Sequence, residues 1–206
     1  MKLETREFQL LEPLALRTDE ATKRTWVKGL AAVFNRPSAD MGGFTEVISP
    51  GAFTVSLATP DTAPGGDFRC LFNHDPAQIL GRTRNQTLTL LEDSAGLRFE
   101  SMIPDTTYGR DLLELLSLGT IRGCSFGFYV PEDGDEIICT GNGQIIRTLN
   151  TICLAEVSIT HSPAYDGTSI SLRVDPSILE RVTTVRSRPD LAARWLQLRH
   201  SQLANA

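Results

Sequence analysis

The sequence predicts a mainly β domain of the α+β class, with two inserted helices and a C-terminal segment of different character. Short runs rich in β-branched and aromatic residues recur between clusters of Gly, Pro, Asn and Asp, which is the mark of many brief strands. Two helical periodicities interrupt these runs, and the character changes after about Val174. Strands this short and this closely spaced favour a barrel or sandwich over repeated βαβ units.

Strand signals fill the chain from Lys2 to Val174. The β-rich runs are Arg24–Phe34, Phe68–Asn73, Thr87–Leu91, Leu97–Ile103, Ile121–Val130, Ile145–Leu149 and Thr151–Thr160. Turn residues at Glu132-Asp133-Gly134-Asp135 and Gly141-Asn142-Gly143 predict antiparallel hairpins. The first helix is expected to begin near Pro50, with Ser49 as its cap and Phe53 and Leu57 one turn apart. The second follows Pro104-Asp105. Tyr108, Leu112, Leu115 and Leu116 make its apolar stripe, and Gly119 supplies a left-handed stop.

Residues 1–174 are therefore read as one domain and 175–206 as a helical or partly disordered tail. The tail carries five arginines and no lysine between Pro176 and Ala206, with a short stripe of Leu191, Trp195 and Leu198.

Composition narrows the function classes. With 206 residues, 41% hydrophobic and 22% charged, the chain can build one sizeable core. No window holds the roughly 18 apolar residues of a membrane span. The mixed-charge start MKLETREFQL has no apolar signal region, so a soluble cytoplasmic protein is expected. A net charge of −5 argues against nucleic acid as a partner. Cys70, Cys124, Cys139 and Cys153 show no metal-ligand spacing, so neither a metal nor a cofactor is expected.

One motif carries chemistry. Gly123-Cys124-Ser125-Phe126-Gly127 matches GxSxG, but no helix follows it as a nucleophile elbow requires. The serine instead lies within a strand. Period-2 alternation puts Cys124, Phe126, Phe128 and Val130 on the core face, and Gly123, Ser125 and Gly127 on the other. Flanking glycines clear space for a substrate backbone at the Ser125 hydroxyl.

Such a hydroxyl needs a base. His74, at the end of the Phe68–Asn73 run, is the favoured base; His161, after Thr151–Thr160, is its rival, and His200 lies in the tail. The imidazole needs an orienting carboxylate. Glu156 stands in the apolar run Ile152–Ile159, where a lone carboxylate is costly unless paired. Asp75 is the weaker alternative because it adjoins His74.

Several segments, in order, resemble the prohead proteases of tailed phages, which are distantly similar to herpesvirus assemblin. They are Gly29–Asn35, Ile48–Phe53, Phe72-Asn73-His74 with Leu80-Gly81, Arg122–Phe128, and Leu154–Ile159 followed by Pro163-Ala164-Tyr165. The resemblance implies a closed antiparallel β-barrel surrounded by helices, with His74, Ser125 and Glu156 as a Ser–His–Glu triad. It implies an endopeptidase that cleaves scaffold segments and the major capsid protein, and itself, within the assembling procapsid. Self-association is compatible with it.

His161 departs from the family pattern and could compete with Glu156, although positions five apart on a regular strand face opposite ways. Backbone amides near Ala164 and Tyr165, or the guanidinium of Arg122, are candidates to stabilise an oxyanion. The competing functions are an esterase-like serine hydrolase and a non-catalytic capsid assembly protein that keeps the same scaffold.

Overall fold

A computed structural model describes residues 2–9, 14–63, 66–161 and 175–187. Among these residues the strands are β1 (Glu4–Gln9), β2 (Ala15–Thr18), β3 (Thr25–Val33), β4 (Thr45–Ile48), β5 (Arg69–Phe72), β6 (Asp75–Arg82), β7 (Leu88–Glu92), β8 (Gly96–Ile103), β9 (Gly123–Tyr129), β10 (Asp135–Cys139), β11 (Ile145–Leu149) and β12 (Cys153–Thr160). The helices are α1 (Thr54–Ala58), α2 (Thr107–Ser117) and α3 (Pro176–Ser187), with a 3-10 turn at Pro60–Thr62.

The strands form three open sheets and no closed barrel. Their orders are β1-β9-β12-β5-β6, β2-β3-β8-β7 and β10-β11-β4. Closure would require each sheet's last strand to hydrogen-bond to its first, and none of the three ladders returns in this way. Two register shifts distort the β5–β6 pair, the last of the first sheet. The chain then leaves β6 for the second sheet through a turn, where the Thr87 amide donates to Arg82 O at 3.1 Å. The sheets are not purely antiparallel either, because β12–β5 and β11–β4 run parallel.

The larger of two hydrophobic clusters is built mainly from the first two sheets, α2 and the segment around α1. Phe126 and Phe128 of β9, Val157 and Ile159 of β12, Val27 of β3 and Phe99 of β8 all belong to it. Phe53 completes the aromatic centre, edge-on to Phe126 with ring centroids 5.5 Å apart. The side chains expected on the core face of β9, Cys124, Phe126 and Phe128, do lie in this cluster, with Val130 packed against it, although the opposite face is buried as well.

Helix α2 begins where the Thr106 hydroxyl accepts from the Gly109 amide at 3.1 Å. It buries Leu112 in the core. It stops at Gly119, whose φ of +68° suits a residue without Cβ. Helix α1 is shorter and later than expected. Residues 51–53 form a turn and Phe53 is the N-cap, while Ser49 donates to Asn150 instead. The Gly141-Asn142-Gly143 turn does close a hairpin, β10–β11. The turn at 132–135 does not, because it carries the chain from the first sheet to the third.

The polar N-terminal strand is held by buried charge. Arg6 donates to Glu46 Oε1 at 2.5 Å and to Glu4 Oε2 at 2.5 Å. Arg147 donates to Glu4 Oε2 at 2.8 Å, Glu46 Oε2 at 2.9 Å and Asp135 Oδ2 at 2.6 Å. Arg181 of α3 reaches the same Asp135 at 2.9 Å. Burial alone would raise the Asp135 carboxyl, but the guanidiniums of Arg181 and Arg147 outweigh it and hold it below the usual carboxylate range. This network ties β1, β4, β10, β11 and α3 together. Beneath α3, Ile178 and Val182 pack on Met41, Phe44 and Ile145. Leu191, Trp195 and Leu198 lie outside the described residues. Among the described residues no helix is long and apolar enough to cross a membrane.

Candidate active site

His74 does not simply end a strand. Asn73 and His74 are the two central residues of the β5–β6 hairpin, whose flanking residues Phe72 and Asp75 pair. Their φ values are +52° and +59°, the left-handed pair that a type I′ turn needs. Asn and His tolerate this region better than most residues with a Cβ. The backbone of a tight turn, and not a loop, therefore aims the imidazole.

Glu156 meets it from β12. The β9–β12 register shifts between Leu154 and Glu156, and from there Glu156 and Ser158 share one face of the strand while Val157 and Ile159 enter the core. His74 Nδ1 and Glu156 Oε1 are 2.6 Å apart, with side chains 25% and 12% exposed. With a proton on Nδ1 donated to the carboxylate, the lone pair of the neutral ring is left on Nε2, the arrangement of a general base. His74 Nε2 is buried and has no hydrogen-bond partner among the described residues.

Ser125 lies on the strand next to β12, directly opposite Ser158. It is fully buried, and its hydroxyl donates to the backbone carbonyl of Arg6 at 2.8 Å. Strand β1 covers the flank of β9 and sets Glu7 opposite Ser125. Burial pushes the Glu7 carboxyl up, and attraction to His74 and His161 partly offsets this. The hydroxyl is therefore engaged by the chain's own backbone, and a proton transfer to His74 requires it to leave Arg6 O.

Gly127 makes the histidine–carboxylate contact possible. It lies opposite Glu156, and a Cβ at this position would sit 2.7 Å from Glu156 Oε1. The remaining candidates are placed elsewhere. His161 is exposed beyond β12, and its ring Nδ1 is 3.4 Å from Asn73 Oδ1. Asp75 Oδ1 accepts from the Ala77 amide at 2.9 Å, and Asp75 Oδ2 from the Gln78 amide group at 2.9 Å. The Arg122 guanidinium donates to Gly119 O at 2.6 Å. Ala164 and Tyr165 lie outside the described residues. Arg6, Glu7 and Ser158 escaped the sequence reading. Only Ser158 had a visible signal, two residues beyond Glu156 on the same strand face.

Cys124 adjoins Ser125 and is the intrinsically better nucleophile, but it is fully buried and its thiol is pushed well above the ordinary range by desolvation. Alkylation of the native protein is therefore expected to leave peptide cleavage intact. Activity lost with Cys124 as the modified residue would reassign the nucleophile.

On the first sheet the structure brings His74 and Glu156 into contact, with Gly127 leaving room for the carboxylate, while the Ser125 hydroxyl two residues from Gly127 is bonded to Arg6 O and not to His74. The chain belongs to the caudovirus prohead serine protease family, whose model matches residues 12–181. It is 28% identical over 162 residues to the prohead protease of Enterobacteria phage HK97, a match that covers 78% of this chain and 65% of that protein. The chain thus spans just under two thirds of that relative's length. The fold is similar to that of the bacteriophage T4 capsid assembly protease, gp21, with a TM-score of 0.51 at 9% identity, covering 77% of this chain and 97% of that one.

Proposed function

We propose that this protein is a serine endopeptidase of prohead maturation. Ser125 is the nucleophile, His74 the general base and Glu156 the group that orients the imidazole. The observation that carries this reading is the 2.6 Å contact between His74 Nδ1 and Glu156 Oε1, with Nε2 buried and without a hydrogen-bond partner among the described residues. In the reaction Ser125 Oγ attacks the scissile carbonyl carbon while His74 Nε2 takes its proton. Glu156 stabilises the resulting imidazolium. The imidazolium then protonates the leaving amine, and water hydrolyses the acyl-enzyme by the same base. Scaffold segments and the major capsid protein are the proposed substrates, and the assembling procapsid is the proposed site of action.

One observation favours the non-catalytic assembly reading: the Ser125 hydroxyl is fully buried and bonded to Arg6 O. The mass of the purified chain, followed over time alone and with scaffold protein, separates the two. The wild type is expected to shorten itself or its partner and to be labelled at Ser125 by a serine-directed phosphonate. Ser125→Ala is expected to do neither. Cleavage that persists in Ser125→Ala, or a wild type that neither cleaves nor labels, would overturn the proposal.

A further inference from the structure

We propose that Ser158 is a positioning residue for the His74–Glu156 pair: its hydroxyl holds one carboxylate oxygen so that the other stays on the imidazole. This rests on the proposed catalytic roles of His74 and Glu156. Ser158 Oγ donates to Glu156 Oε2 at 2.6 Å, while Glu156 Oε1 contacts His74 Nδ1 at 2.6 Å. The two oxygens of one carboxylate are thus assigned to two different partners.

The need for such a hold follows from the chemistry of glutamate. Its side chain has three rotatable bonds, and the last torsion is broad and roughly two-fold, so nothing intrinsic fixes the plane of the carboxylate. A bond to only one oxygen leaves rotation about that bond open. Hydrogen bonds to both oxygens define the plane, and an acceptor that is ionised makes each of them stronger than a neutral pair. Ser158 suits the task because it is buried. A hydroxyl in that position costs stability unless it is bonded, so it holds its bond persistently.

Strand geometry makes the contact a consequence of register. Glu156 and Ser158 are two apart on β12 and lie on one face, with Gly127 opposite the first and Ser125 opposite the second. The absence of a side chain at Gly127 leaves room for the glutamate side chain, whose Oε2 meets the Ser158 hydroxyl along the strand. The same register places Ser158 beside the proposed nucleophile, but the two hydroxyls are committed differently: that of Ser158 to Glu156 and that of Ser125 to Arg6 O.

The test combines a spectroscopic readout with kinetics on the full chain. The Nδ1 proton of His74, shared with a carboxylate, is expected to give a downfield resonance in the wild type and in Ser125→Ala. In Ser158→Ala that resonance is expected to move upfield and to exchange faster with water, and Ser158→Thr is expected to restore it. In parallel, kcat for a peptide substrate is expected to fall about tenfold in Ser158→Ala, with KM within about twofold and recovery in Ser158→Thr, as for loss of a hydrogen bond to a charged group. If Ser158→Ala does not fold, Ser158→Cys keeps the shape with a much weaker donor and carries the same expectation. An unchanged resonance and rate would overturn the proposal. So would a Ser158→Ala enzyme as inactive as Ser125→Ala and not recovered by Thr, since Ser158 would then belong to the chemistry itself. A resonance that responds to Ser158 in a chain without peptidase activity would uphold the positioning role and remove the proposed function.

Discussion

Gly127→Ala is expected to lower kcat/KM by about a hundredfold while leaving the protein folded, since displacing a positioned group by about an ångström can cost that much. The added methyl would lie 2.7 Å from Glu156 Oε1 and 3.4 Å from Glu156 Cδ and Cγ. Those atoms end a flexible side chain, so the fold can accommodate the methyl by moving the carboxylate. The carboxylate, however, is the point where His74 and Ser158 meet. Moving it breaks the orientation of the base without opening the core. Peptide cleavage measured beside a thermal melt checks this. A normal rate, or a loss of activity that merely follows unfolding, would show that Gly127 has no such role.

Arg147→Met is expected to destabilise the fold by about 3–5 kcal/mol, the usual cost of stripping one partner from a buried ion pair. The guanidinium is 1% exposed and binds Glu4, Glu46 and Asp135. Methionine fills much of the volume but leaves three largely buried carboxylates with fewer partners. Arg6 still serves Glu4 and Glu46, and Arg181 still serves Asp135, which keeps the loss below that of three orphaned charges. For a chain of this size the loss corresponds to a fall of about 6–20 °C in Tm. Urea unfolding followed by circular dichroism measures it. A change below about 1 kcal/mol would mean that the network relaxes around the missing cation.

Single-strand features were legible in the sequence and pairings were not. Alternation along β9 assigned Cys124, Phe126 and Phe128 to the core, where they lie. It could not say what pairs with the edge of β9 and takes the Ser125 hydroxyl, because that is β1, more than a hundred residues away in the chain. The expectation of a closed barrel failed for the same reason. Closure is a property of edges, and the edges of β1 and β6 are set by long-range register and by the shifts in β5–β6. Helix α2 and its stop at Gly119 were readable because both are local. The start of α1 was not, since Ser49 found a partner in Asn150.

At the candidate site the residue types pointed to His74, Ser125 and Glu156. The bond between Ser125 and Arg6 O, and the second hold on Glu156 from Ser158, left no mark in composition or spacing beyond an i, i+2 relation. The polar run at the start of the chain shows no sign of burial in its sequence. Its Glu4 and Arg6 turn out to be buried, because Glu46 and Arg147 come from strands that the sequence does not place beside it.

The left-handed turn at Asn73 and His74 makes the imidazole a rigid mount and not a swinging arm. A histidine on a long loop would have to lose several backbone torsions each time it took up its working position, at roughly 1–2 kcal/mol per residue ordered. In a two-residue hairpin those torsions are settled when β5 and β6 pair, long before any substrate arrives. The direction in which the side chain leaves the backbone is then as stiff as the two strands beneath it, and the Glu156 contact holds the ring itself. Any disturbance of their pairing, even on the side remote from the ring, is transmitted to Nε2 as a change of direction.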